Sequence, residues 1–184
     1  KKCRSFHEHN EDKVLFEIIN QIKNSKNVSI ISDAGTPAIS DPGYKLIREC
    51  SQQLIEYTLI PGPSSVISAA VMSGLPTDKF TFFGFVPKKL SDQEICFETI
   101  KNDNKTSIFF ESPKRLEKTI TNLIKVIGKT RRVSICKEMT KLHEQIFRGS
   151  ISEILEDIKK EKILLKGEIV IVVEGAQKNN INNY

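Results

Sequence analysis

Two hydrophobic periods alternate along this chain, and that alternation constrains its fold more than any other feature. Across residues 8–26, Val14, Leu15, Ile18, Ile19 and Ile22 recur at helical spacing and make one apolar stripe. The run Val28-Ser29-Ile30-Ile31 is instead short, β-branched and stopped by a turn-rich loop, so it reads as a buried strand. Asp41-Pro42 supplies an N-cap and a first-turn proline for a helix to about Gln53, and Thr58-Leu59-Ile60 reads as the next strand. Ser64 can cap a short helix through Met72 that Gly74 ends, and a strand at residues 80–85 follows. Val86-Pro87-Lys88-Lys89 is a polar break, after which the alternation resumes. Ser91 and Glu94 form a capping-box pattern for a helix to about Asn102, and Ser112-Pro113 caps and opens another that ends near Gly128. Strands are expected at residues 107–110, 132–136, 145–148 and 168–173, with a helix over 151–161. The alternation predicts an α/β fold of two domains, residues 1–86 and 87–176, with largely parallel sheets; the last stretch could pair antiparallel. Residues 177–184 are expected to form a disordered tail.

In open α/β sheets, ligands gather outside the carboxyl ends of strands, so the loops there are the places to look for chemistry. The first runs from Ser32 to Gly43 and packs two glycines, two prolines and two aspartates into one turn-rich stretch. Small residues let a ligand approach the backbone, and Asp33 can accept hydrogen bonds from a ribose or an amine. The second, Pro61-Gly62-Pro63-Ser64-Ser65, stiffens the chain and then offers two hydroxyls with the free N–H groups of a helix start. Glu111-Ser112-Pro113-Lys114-Arg115 places cations on a helix's first turn, where the helix dipole favours acids. Lys137-Glu138-Met139-Thr140-Lys141 follows another strand, and Gly167 precedes Ile169-Val170-Ile171-Val172-Val173 where it could admit a ligand to the backbone.

Composition excludes more than it identifies. The balance of 28 Lys+Arg against 23 Asp+Glu, net +5, suits a polyanionic partner, although a general drift toward lysine accounts for it equally. No run of apolar residues is long enough to span a membrane and no hydrophobic signal core opens the chain, so a soluble, cytoplasmic protein is expected. The four cysteines are scattered and the three histidines form no ligand set, which predicts free thiols and no metal. The glycine patterns of dinucleotide and phosphate loops are missing, as is the Gly-x-Ser-x-Gly elbow of hydrolases.

Taken in order, Phe6-His7-Glu8-His9-Asn10-Glu11, the loop from Ser32 to Gly43, Pro61-Gly62-Pro63-Ser64, Leu75-Pro76-Thr77-Asp78-Lys79-Phe80 with Phe83-Gly84-Phe85, Glu111-Ser112-Pro113, Lys137-Glu138-Met139-Thr140-Lys141 and Gly167-Glu168 resemble the ribosomal RNA 2′-O-ribose cytidine methyltransferases of the tetrapyrrole methylase superfamily. The resemblance covers almost the whole chain. It implies two α/β domains with S-adenosylmethionine in the cleft between them, a homodimer, and small-subunit (16S) ribosomal RNA as substrate. It carries cofactor contacts onto Asp33, Ala34, Gly35 and Thr36, onto Ser64 and Ser65, and onto Phe110, Cys136, Gly167, Glu168 and Ile169. Glu138 or Lys137 would assist loss of the ribose proton, while Lys114, Arg115 and Lys141 would hold phosphates. The family usually has His at Lys114 and Arg at Lys137. It also opens with a strand and a glycine loop that precede the first motif here, so a chain truncated at its start is expected. A methylase of a small corrinoid or of diphthamide, and a noncatalytic nucleotide-binding module, are the rival readings.

Overall fold

A computed structural model describes residues 3–7, 9–32 and 35–177. By its internal packing the chain resolves into two compact units, residues 1–64 and 65–184. The expected break at residues 86–87 falls inside the second unit, because residues 80–85 join its sheet.

The first unit holds α1 (Glu11–Lys23) and α2 (Tyr44–Gln52), whose apolar stripes meet through Ile19, Leu46 and Cys50. α2 begins two residues later than Asp41-Pro42 implies. Gly43, at φ 134°, is its N-cap, and the Gly43 N–H donates to Oε1 of the buried Glu11 at 3.2 Å. A carboxylate from the neighbouring helix thus satisfies a free N–H at the helix start. The strands expected at residues 28–31 and 58–60 are not formed. No described strand lies alongside either run, and Ile31 and Ile60 are 82% and 85% exposed. Without a ladder partner, runs of three or four residues cannot hold strand geometry.

The second unit is built on a five-stranded sheet of order β1-β2-β5-β3-β4. Its strands are β1 (Phe80–Phe85), β2 (Thr106–Glu111), β3 (Arg132–Lys137), β4 (Gln145–Ser150) and β5 (Ile169–Val173). Only β1 and β2 pair in parallel; β5 runs antiparallel to both β2 and β3, and β3 to β4. The largely parallel sheet inferred from alternation is therefore corrected. The connection from β3 to β4 is a short turn, which permits only an antiparallel pair, and β5 enters the centre in the reverse sense.

Burial on both faces explains the unbroken β-branched run of β5. Ile169, Ile171 and Val173 point into one core, with α4 (Leu90–Lys101), α5 (Pro113–Ile127) and α6 (Ile151–Lys159) packed on that side. Val170 and Val172 point the other way, toward Val66, Ala69 and Ala70 of α3 (Ser65–Ser73). Each such residue contributes about 1.5–3 kcal/mol by leaving water. The capping-box pattern at Ser91 and Glu94 does not cap α4, whose N-cap is Lys89. The motif forms at α6 instead, where Glu153 N donates to Ser150 Oγ and Ser150 N to Glu153 Oε2.

Candidate functional site

Strand register brings most of the expected site residues of the second unit to one edge of its sheet. Phe85 lies beside Phe110, while Ile169 lies opposite Glu111 on one side and Lys137 on the other. Gln145 at the start of β4 completes the row beside Lys137. The carboxyl ends of β1, β2 and β3 therefore share this edge with the start of β5, which is where α/β sheets bind ligands. α3 is held with its first turn toward the same edge. Arg148, opposite Ser134, donates through Nε to Met72 O and Ser73 O, both at 3.1 Å, and so fixes the helix's other end. Cys136 sits beneath the middle of α3, its Sγ 4.0 Å from Ala69 O, and burial pushes its thiol pKa up.

At the end of β2, Glu111 is fully buried and fully engaged. Its Oε1 accepts the Ser112 N–H and its Oε2 the Thr119 hydroxyl, each at 2.6 Å, and Arg115 Nη2 lies 3.4 Å from Oε2. The same Arg115 nitrogen donates to Val86 O at 2.9 Å and Pro87 O at 2.6 Å. Arg115 thus ties α5 to the turn after β1, whereas Lys114 stands exposed beside it. Thr119 was not singled out from the sequence. The signal for it is a single hydroxyl in the apolar stripe of Leu116, Ile120 and Leu123.

At the end of β3, Lys137 and Glu138 have different environments. Lys137 is 5% exposed, and among the described residues its Nζ makes one long contact, 3.5 Å to Gln145 Oε1. Glu138 departs from the strand at φ 51° and reaches across to β5. Its N–H donates to Glu168 O at 2.9 Å, and its Oε1 accepts the Glu168 N–H at 2.7 Å. Lys141 Nζ closes the cluster, 3.3 Å from Glu138 Oε1 and 3.1 Å from Glu168 Oε2. The Glu168 N–H foremost, with Lys141 behind it, holds the Glu138 carboxyl below the usual carboxylate range. Burial works to lower the Lys141 pKa, but its bonds to Glu168 and Glu138 raise it overall. Gly167 makes the arrangement possible: it adopts φ +80°, and a Cβ there would lie 2.4 Å from Glu138 Cδ.

The loops of the first unit meet one another. Ser32 Oγ donates to Gly35 O at 3.0 Å and Thr36 Oγ1 to Pro63 O at 3.4 Å, which places Gly35 and Thr36 against the segment leading to Ser64. Asp33 and Ala34 lie outside the described residues, as does most of the expected tail.

Comparison with known proteins places this arrangement in context. The sequence model of the tetrapyrrole (corrin/porphyrin) methylases matches residues 1–155. The ribosomal RNA small subunit methyltransferase I of Thermotoga maritima is 44% identical over 177 residues, covering 96% of this chain and 78% of that protein. The protein of the same name from Escherichia coli O157:H7 is 36% identical over 179 residues, 96% of this chain, which spans 63% of its length. Among solved structures, diphthine synthase superposes with a TM-score of 0.66 at 15% identity, over 92% of this chain and 68% of its own. A uroporphyrin-III C-methyltransferase from Thermus thermophilus, complexed with S-adenyl homocysteine, does so at 0.58 and 11% identity, over 90% and 73%.

Proposed function

The chain belongs to the tetrapyrrole (corrin/porphyrin) methylase family, and from that premise we propose that it transfers a methyl group from S-adenosylmethionine to the ribose 2′-oxygen of a cytidine in small-subunit (16S) ribosomal RNA. The observation that carries the reading is the 44% identity to a ribosomal RNA small subunit methyltransferase I over nearly the whole chain. The rival acceptors, a tetrapyrrole or diphthamide, are named by the broad family and by solved structures at 11% and 15% identity, and a likeness that low is one of fold alone.

The sheet edge suits such a donor. Cys136 and Ile169 are buried in the two cores, so their part in holding it is through main-chain atoms. Within the second unit, Ser65 supplies a hydroxyl and Phe110 an apolar surface; within the first, Gly35, Thr36 and Ser64 supply small side chains and hydroxyls. Lys137 is the sharpest fit: an ammonium has three N–H donors, and among the described residues one contact, to Gln145, answers them. S-adenosylmethionine, when bound, supplies an electrophilic methyl group that is displaced in line, so alignment of the acceptor provides much of the acceleration. Lys137 donates to the ribose oxygen and stabilises the negative charge it gathers as its proton leaves to water. Glu138, already committed to Glu168 and Lys141, keeps the edge in shape. Lys114 faces the phosphates, with Arg115 and Lys141 holding the elements that present it and its neighbours. The reading has the chain act in the cytoplasm as a homodimer, which sedimentation velocity tests.

Incorporation of labelled methyl groups into small ribosomal subunits tests the assignment. Lys137→Ala is expected to lower turnover by about 100-fold, the scale of losing one preorganised donor, and Glu138→Ala by less. If both variants keep wild-type turnover, neither residue serves the chemistry. Cofactor binding by calorimetry without transfer to any RNA would overturn the RNA reading itself.

A further inference from the structure

Three observations converge where β1 and β2 end. Phe85, the last residue of β1, is 58% exposed, although Phe82 and Phe110 on the same side are partly buried. Its ring meets Phe110 at 5.4 Å between centroids and 65° between planes, which anchors it while the residue stays largely exposed. The turn that follows is held rigidly: Val86 N donates to Phe110 O at 3.0 Å, and Arg115 takes up the carbonyls of Val86 and Pro87. Lys88 and Lys89 leave this turn exposed, and Lys114 stands exposed next to the arginine that pins it. Among the described residues none of these three lysines is in an ion pair, and Asp92 and Glu117 on the adjoining helices do not reach them. Lys114 also lies at the end of α5 where the helix dipole disfavours cations, and the one carboxylate bonded there, Glu111, is committed to Ser112, Thr119 and Arg115.

We propose that Phe85, Lys88, Lys89 and Lys114 form a docking platform for single-stranded RNA, with one unstacked base on the Phe85 ring and neighbouring phosphates on the lysines. The combination is what selects the partner. An acidic peptide would answer the lysines but not the exposed aromatic ring, and a duplex hides its base faces, whereas an unpaired strand offers both a flat base and a phosphate on either side. The proposal rests on the reading of RNA as acceptor and deepens it by locating where the strand lies, at the same sheet edge as Lys137.

The test uses the whole chain and fluorescence anisotropy with a short, labelled, mixed-sequence single-stranded RNA, alongside the same RNA as a duplex. Phe85→Ala should weaken single-strand binding about fivefold or more, the fold-change for loss of one base stack, and Phe85→Trp should restore it. Lys88→Gln with Lys114→Gln should reduce the slope of log affinity against log salt by about 1.4, since each neutralised phosphate of a single strand adds about 0.7. The control is Lys125→Gln with Lys129→Gln, which removes the same charge from the far end of α5 and should leave affinity within about twofold. Phe85→Ala binding like the wild type, or the control losing as much as the platform pair, overturns the proposal. Methyl incorporation by the wild type is measured in parallel to separate the two ideas. Variant-sensitive RNA binding without methylation sinks the functional reading and leaves the platform standing; methylation with variant-insensitive binding does the reverse.

Discussion

A methyl group at residue 167 would occupy the space of the Glu138 carboxylate, 2.4 Å from its Cδ. Gly167→Ala therefore carries two costs, a backbone at φ +80° worth about 1–3 kcal/mol and the displacement of Glu138. In a Glu138→Ala background the second cost vanishes, so the two substitutions should be markedly non-additive in urea denaturation. Additive costs would show that the glycine and the glutamate do not share one space. The same carboxylate has a signature in pH. Its folded pKa is depressed below 4.5, so its stabilisation is full above that value and is lost as pH falls through the lower folded value. Wild type and Glu138→Gln should thus differ most in stability above about pH 5 and converge as the pH falls below 4.5; a gap that widens on acidification would contradict this. The run of acids and bases at residues 137–141 was legible in the sequence as a charge cluster at a strand end, but not how its members pair. Glu138 is defined by a backbone N–H thirty residues on, and Lys137 by burial beside Gln145, neither of which local spacing reveals.

Elements whose signal is local were read well, and those that depend on a partner were not. The stripes of α1 and α5 and the runs that became β2, β3 and β5 carry their periodicity in their own residues. Residues 28–31 and 58–60 carry the same β-branched signal yet form no strand, because a ladder needs a neighbour that composition does not supply. A Ser-x-x-Glu pattern occurs at both Ser91 and Ser150, and only the second caps a helix. The turn after β1 starts α4 one residue before Ser91, and Gln93 is drawn inward to Pro87 O and Asn122. Sheet order is the least local property of all, since β5 follows α6 in sequence but is inserted between β2 and β3. That position makes β5 the keystone of the unit. Ile171, 0% exposed and paired on both sides, should cost about 2–5 kcal/mol on replacement by alanine. Chemical denaturation measures this, and a loss below about 1 kcal/mol would mean the core closes over the gap.

At the scale of the molecule, the second unit carries the sheet edge and both of its large cores, while the first is closed around Ile19, Leu46 and Cys50. The alternation of helix and strand revealed the α/β class without revealing this inequality, because it weighs every short apolar run alike whether or not the run is buried. The central place of β5 has a further consequence in time. Chains emerge from the ribosome amino end first, at about 5–20 residues per second. β1 can pair with β2, and β3 with β4, as each appears, but the inner edges of β2 and β3 stay open until residues 169–173 arrive to bridge them. Nascent chains paused before that point display two more bare strand edges than the finished sheet, the feature most prone to capture by other chains. β5, the last of the described strands to be made, is thus the one that closes the two inner edges.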